Sequence, residues 1–207
     1  MKRREFLGAF AAAATLPLAV PAVAASKIPL DELSRYLNSL KTAKGGFTQV
    51  NSDGTLTEGV FYLARPGRMR FEYSGKNAAL VVAGQGRLAI FDRKSNQGPQ
   101  QYPLHRTPLN IILRNSVDLG RSGMLMGHDS DGKTTSITAQ DPEYPNYGNV
   151  KLVFTDGPTE LREWVVTDES GRKTTVILDK LQTGGRLPTG LFDIDKLVRE
   201  GGAKANR

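Results

Sequence analysis

Leu30, Leu33, Leu37 and Leu40 recur at intervals of three and four, with Asp31, Glu32, Arg35 and Asn38 on the other side. The pattern predicts one amphipathic helix. Pro29 suits its first turn, where a missing N–H costs nothing, and Gly45-Gly46 reads as its stop. The period then changes from about 3.6 to two. Alternating segments at 46–51, 55–64, 68–74, 78–83, 87–92, 100–104, 124–129, 134–139, 148–155, 161–168 and 173–182 predict strands. Between them stand turn signals such as Ser52-Asp53-Gly54, Pro66-Gly67, Gly84-Gln85-Gly86, Asp131-Gly132, Asp156-Gly157 and Ser170-Gly171. Such short connections join antiparallel neighbours. One segment breaks the rhythm: "TPLNIILRN", 107–115, predicts a short apolar helix inserted midway. Near the end, "LPTGLFDIDKL" predicts a last strand or turn, before a polar tail at 199–207 expected to be disordered.

The chain has 207 residues, 39% hydrophobic and 24% charged, which suits a single domain with a real core and argues against general disorder. Its formal charge of +7 invites a nucleic-acid reading, but the N-terminus turns the argument elsewhere. "MKRREFLGAFAAAATLPLAVPAVAAS" has a basic start, an alanine-rich apolar run and an Ala22-Val23-Ala24 cleavage pattern. The run is interrupted by Pro17 and Pro21, so it reads as an export signal over 1–24, cleaved near Ala24, rather than a membrane span. Arg3-Arg4 followed by Glu5, Phe6 and Leu7 resembles a twin-arginine signal; Lys2 stands where Ser or Thr is usual, which leaves general secretion open. The signal carries +2 of the charge, leaving +5 on an exported domain, for which anionic lipid or an acidic protein is a better partner than DNA. There is no cysteine, so neither a disulfide nor a lipid-bearing N-terminal Cys is available, and packing alone must hold the domain.

Chemistry-bearing motifs are few. Gly127-His128-Asp129-Ser130-Asp131-Gly132-Lys133-Thr134 fits the phosphate-loop pattern, yet "TSITAQDP" follows it with strand alternation where a helix is needed, and two aspartates would repel phosphate. A hairpin turn is expected. The same stretch lacks the far Glu of a calcium loop. His105 and His128 are the only histidines and no nucleophile elbow occurs, so the sequence shows no catalytic constellation, metal set or cofactor motif, and the expectation is not an enzyme.

The remaining oddity is "ARPGRMRFEYSG", 64–75. Met69, Phe71 and Tyr73 alternate with Arg68, Arg70 and Glu72, as in a strand with one dry face and one wet one. Arg65, at a strand end before Pro66-Gly67, fits neither face.

Together "GGFTQV" (45–50), "GVFYLARPGRMRFEY" (59–73), "LVVAGQGRLAIFD" (80–92) and "RTPLNIILRN" (106–115) resemble, in order and spacing, the LolA family of outer-membrane lipoprotein carriers. The likeness covers most of residues 30–115 and, by strand rhythm, the region beyond. It implies a mainly β fold: an open antiparallel half-barrel with an apolar concave face under a helical lid, spanning the domain 25–198. It implies a periplasmic, monomeric carrier that hides the acyl chains of lipoproteins. Cargo would come from an inner-membrane lipoprotein-releasing ABC transporter and pass to an outer-membrane receptor lipoprotein, with no nucleic acid involved. The family's lid latch corresponds to Arg65, and its backbone-carbonyl partners to Leu37, Ile112 and Leu113. Helix-end carbonyls lack internal partners, and a guanidinium can gather several at once. The alternative for Arg65 is an ordinary surface charge at a strand end.

Strand parity nominates Phe71, Tyr73 and Trp164 for the acyl-chain cavity, with Leu33, Leu37, Leu109 and Ile112 from the lid; the same residues suit ordinary core. Two other functions stay open. One is a lipid- or lipoprotein-sensing regulator on the same half-barrel, which an added interaction surface would favour. The other is a secreted hydrolase, which would need carboxylates inside the cavity.

Overall fold

The computed structural model describes residues 27–76, 78–92, 94, 97–120 and 123–201; the expected export segment and residues 202–207 of the expected tail lie outside them. Helix α1 spans Leu30–Ser39, and Pro29 stands before it in extended conformation. Asp31 and Glu32 occupy its first turn, where negative charge complements the helix dipole. Leu33 and Leu37 are buried, contributing about 1.5–3 kcal/mol each relative to exposed side chains. The helix ends at Leu40, whose φ of −74° and ψ of 75° leave the helical region.

Gly45-Gly46 therefore does not end the helix. Both lie inside the first strand, where a Cβ on Gly45 would stand 2.9 Å from Leu181 Cδ2 and one on Gly46 2.1 Å from Asp179 Oδ2. Their missing side chains let residues 179–181 cross close to the strand.

Twelve strands follow: β1 (Thr42–Val50), β2 (Leu56–Ala64), β3 (Arg68–Tyr73), β4 (Leu80–Gly84), β5 (Arg87–Phe91), β6 (Gln100–Pro103), β7 (Leu125–Ser130), β8 (Thr134–Gln140), β9 (Asn149–Thr155), β10 (Glu160–Thr167), β11 (Lys173–Leu178) and β12 (Gln182–Thr183). The short helix α2, Leu109–Leu113, sits between β6 and β7. Main strand order is β6-β5-β4-β3-β2-β1-β11-β10-β9-β8-β7, with β12 paired to the start of β1. Two meanders thus meet at the β1–β11 pair, in register from Phe47↔Leu178 to Val50↔Thr175. Every pairing is antiparallel, and β6 and β7 form the two outer edges of an open sheet. The segment expected at 173–182 is split after Leu178, so that its end can pair with β1 as β12.

The inner face carries the core. Phe47, Phe61, Phe71, Trp164, Phe154 and Ile137 pack there against α1, α2 and Val117–Leu119. Gly59 makes this possible: a Cβ on it would stand 2.8 Å from the Phe47 ring and 2.1 Å from Glu72 O. The phosphate-loop look-alike is the β7–β8 hairpin, with the Asp131 carboxylate accepting from Lys133 N at 2.9 Å and Thr134 N at 2.7 Å.

The C-terminal segment departs from the sequence expectation. The expected turn is a 3-10 turn at Thr189–Phe192, but it leads on into helix α3, Ile194–Arg199, capped by Asp193 accepting from Lys196 N at 2.9 Å. Arg199 closes this helix instead of opening the polar tail. Ile194 and Leu197 cover Leu80, Val82, Ala89 and Phe91 on the outer face, forming a second small core. Arg70 is consequently not on a wet face. It is 1% exposed, and donates from Nη1 to Leu191 O at 2.9 Å and from Nε to Glu72 Oε1 at 2.5 Å.

Candidate functional site

Arg65 leaves β2 at the point where Ala64 pairs with Thr42, the first residue of β1. Its own N–H donates to Lys41 O at 2.8 Å, which fixes the side chain beneath the end of α1. The residue is 6% exposed, and burial pulls its pKa below the ordinary arginine value. Nη1 donates to Leu37 O, in the last turn of α1. Nε and Nη2 both donate to Arg114 O, at 3.1 and 2.5 Å. The structure thus brings Arg65 to Leu37, but takes Arg114 in place of Ile112 and Leu113. The reason is local: α2 is five residues long and Arg114 turns extended, at φ −57° and ψ 150°, swinging its carbonyl toward the guanidinium. The Leu113 carbonyl is used nearby, accepting from Gly67 N at 2.9 Å. Ile112 is buried in the core.

Other bonds make the lid one piece. Asn38 on α1 exchanges two hydrogen bonds with Val117, and Ser34 Oγ accepts from Leu119 N at 3.1 Å. Arg114 forms an ion pair with Asp141. On its far side α1 is tied to the sheet, with Tyr36 Oη accepting from Leu161 N at 3.0 Å and Glu32 Oε1 accepting from Thr159 Oγ1 at 2.6 Å. Burial pushes the Tyr36 phenol above its ordinary pKa. Ile28 N donates to Thr135 Oγ1 at 3.0 Å and anchors the approach to the helix.

Beside this lid lies a cavity of about 590 Å³. Phe71, Tyr73, Leu109 and Trp164, all nominated by sequence, line it. Leu33 does not: it is fully buried in the packed core under α1. From the lid side the lining comes from Arg106 to Leu109 and not from α1. Sequence reasoning missed Val81, Leu88, Ile90, Val166 and Val176, which share the inner face with the nominated residues and were legible by the same parity. The mouth is polar, with Tyr102, Arg106, Tyr147, Glu169 and Arg172. Asp168 at the rim is committed to its own turn, accepting from Ser170 Oγ at 2.6 Å, Ser170 N at 2.9 Å and Arg172 N at 3.0 Å. Its bonds to Ser170 and Arg172 hold its carboxyl below the ordinary range. The arrangement offers an apolar interior with a charged rim. It suits sequestering hydrocarbon.

The family profile described as "Outer membrane lipoprotein carrier protein LolA" matches residues 38–195. The chain is similar to an outer-membrane lipoprotein carrier protein of Cupriavidus taiwanensis, 32% identical over 208 residues, covering 93% of this chain and 94% of that one. A protein of the same description from Cupriavidus necator is 31% identical over 207 residues, with coverage of 93% and 94%. Among solved structures, a LolA superfamily protein from Nitrosomonas europaea matches 82% of this chain and 100% of its own, at 10% identity and a TM-score of 0.41. The profile spans well over half of the sequence, including the Arg65 turn, α2 and the cavity wall: the chain belongs to the LolA family of outer-membrane lipoprotein carrier proteins.

Proposed function

We propose that this protein is a periplasmic carrier that takes the acyl chains of lipoproteins into its apolar cavity and shuttles them from the inner to the outer membrane. The observation that carries the reading is the cavity beside a lid whose two pieces are both held by Arg65. Residues 1–24 act as the export signal, and the exported protein works as a monomer. An ATP-driven inner-membrane transporter loads it, and a receptor lipoprotein in the outer membrane unloads it.

Magnitudes explain why a latch is needed. Each buried methylene gains about 0.8 kcal/mol, so three fully enclosed acyl chains would gain on the order of tens of kcal/mol and never leave. With the lid in place the cavity of about 590 Å³ is of a size that suits one small ligand, so full cargo must displace the lid. A lid that packs into the empty protein competes with cargo, and only the difference between the two states drives transfer. Arg65 stabilises the closed, empty state and so promotes release.

The test is native mass spectrometry of the protein after incubation with inner-membrane vesicles and ATP. A stoichiometric acylated lipoprotein adduct that disappears without ATP is the expected result. Free lipid alone, or no adduct, would remove the shuttle reading.

A further inference from the structure

Arg65 donates twice to the carbonyl of Arg114, a residue that stands just outside α2 in extended conformation. No helix holds that carbonyl in place. The other end of the same residue does, through the ion pair between the Arg114 guanidinium and Asp141. Asp141 directly follows β8 and is 8% exposed. Its Oδ1 accepts from Glu143 N at 3.1 Å, and its backbone carbonyl accepts from Tyr144 N at 3.1 Å. The carboxylate is thus built into a closed turn, unlike a surface ion pair between two loose side chains, which is worth little.

The same turn meets the lid a second time. Tyr144 lies against His105, in the 3-10 turn Leu104–Arg106 ahead of α2, with ring centroids 5.8 Å apart. Tyr147 stacks on Tyr144 at 5.4 Å and lines the cavity mouth together with Arg106 and Leu109. Gln140 Nε2 donates to Pro145 O at 2.9 Å and ties the turn back to β8. Residues 141–147 therefore hold the segment 105–114 at both ends, Asp141 next to the latch and Tyr144 next to the mouth. Helix α2 has only five residues, too few to be stable by its own bonds, so its position depends on such outside contacts.

We propose that Asp141 is a positioning residue for the latch: by holding the Arg114 side chain it keeps the Arg114 carbonyl within reach of Arg65, and so stabilises the closed lid without touching cargo. This rests on the carrier reading, in which the closed, empty state competes with cargo. It adds a second fastening, with Arg65 holding α2 from below and residues 141–147 holding it from the side. The consequence has a sign that general loss of structure does not share. Loosening a group that serves only the closed state makes a ligand that must displace the lid bind more tightly, because less closed-state stability is given up. A ligand small enough to enter without opening the lid is indifferent to the change.

The experiment uses purified wild type, Arg114→Gln, Asp141→Asn, Arg65→Leu and the double variant Arg65→Leu/Arg114→Gln. Arg114→Gln keeps the carbonyl that Arg65 uses and removes only the arm that holds it. Its site is half-buried, so it serves even where the buried Asp141 site does not tolerate change. The probes are N-phenylnaphthylamine, a small apolar dye titrated directly, and a synthetic triacylated lipopeptide measured by displacement of the dye. Dye Kd should stay within about twofold of wild type throughout. The lipopeptide should bind about threefold more tightly to Arg114→Gln and Asp141→Asn, about tenfold more tightly to Arg65→Leu, and no more tightly still to the double variant. The Gly67 amide, which donates to Leu113 O at 2.9 Å, should exchange faster in the same order without any cargo. Lipopeptide binding that is unchanged or weakened in Arg114→Gln overturns the proposal. A double variant showing the two gains multiplied also overturns it, since Asp141 would then act independently of Arg65. If none of the proteins binds the lipopeptide, the carrier reading falls and Gly67 exchange alone decides the positioning role: faster in Arg114→Gln and no faster in the double variant than in Arg65→Leu upholds it, and any other pattern overturns it.

Discussion

Asn38 of α1 and Val117, beyond α2, hold each other through both sides of one carboxamide: Nδ2 donates to Val117 O at 2.8 Å, and Val117 N donates to Oδ1 at 2.9 Å. One turn earlier Ser34 receives Leu119 N. Two lid pieces distant in sequence are thereby joined side to side, while Arg65 gathers the ends of both from below. The lid can leave the sheet as a unit only if Arg65 lets go, and can split only if Asn38 does.

Asn38→Leu removes the carboxamide and leaves the N–H and C=O of Val117 without partners, in a residue that is almost fully buried. The expected loss is about 1–3 kcal/mol of stability, read as a lower urea midpoint at unchanged slope. Ser39→Ala serves as control: its exposed hydroxyl reaches only Tyr36 O, and the shift should stay within about 0.5 kcal/mol. An unchanged midpoint in Asn38→Leu would mean that the lid pieces are joined by packing alone.

Arg65→Leu should load cargo and deliver it poorly. The variant loses three charge-assisted hydrogen bonds, each worth roughly 1.5–3 kcal/mol, all from the closed state. Arg65→Lys keeps the charge but brings a single ammonium in place of a fork spanning Leu37 O and Arg114 O, so its delivery should fall between the two. Transfer of a loaded lipoprotein to the purified receptor, followed over time, separates the three proteins. Normal transfer by Arg65→Leu would leave Arg65 as a structural residue only.

Tyr73 gives a pH signature. Burial raises its folded pKa to about 12 against an ordinary 10.0. An acid whose folded pKa is raised favours its neutral form in the native state. The stability this contributes is fully present below about pH 10 and is lost as pH rises through about 12. Spectrophotometric alkaline titration should therefore show a phenolate component that appears late and drives unfolding. Tyr73→Phe should abolish it; a late component of undiminished size in that variant would assign it to Tyr36 or Tyr62, whose phenols burial also raises.

What the sequence revealed follows from the range of each interaction. The Leu30–Leu33–Leu37–Leu40 stripe and the alternation of Met69, Phe71 and Tyr73 are local patterns, and both survive as inward faces, buried except for Leu30 and Tyr73, which are half-buried against the core. Leu33 shows the limit: periodicity says that it is buried, but whether it meets the cavity or the core depends on where the sheet brings Arg106–Leu109, far along the chain. Arg70 reads as a wet-face charge because nothing near it reveals that Leu191, 121 residues on, will cover it. The covering element did leave a signal, since Asp193 followed by Ile194 and Leu197 is a helix cap before a short apolar stripe. The exchange of Arg114 for Ile112 and Leu113 is a matter of one or two residues at a helix end, where sequence patterns are least exact.

That covering segment can be tested through Gly84. A Cβ added there would stand 2.1 Å from Phe192 O, and the obstacle is backbone, which cannot rotate away. Gly84→Ala should therefore lift the 3-10 turn from β4, at a cost of about 1–3 kcal/mol. It should also withdraw Leu191 O from the buried Arg70 guanidinium. Native-state hydrogen exchange reads the result by segment. Amides of α3, such as Leu197 N on Asp193 O at 3.1 Å, should exchange faster, while those of the β1–β2 ladder keep their protection. The cavity lies on the other face of the sheet, so dye binding should hold at the wild-type level. If β1 and β2 lost protection together with α3, the two faces would form one cooperative unit, and the C-terminal segment would be part of what keeps the cavity in shape.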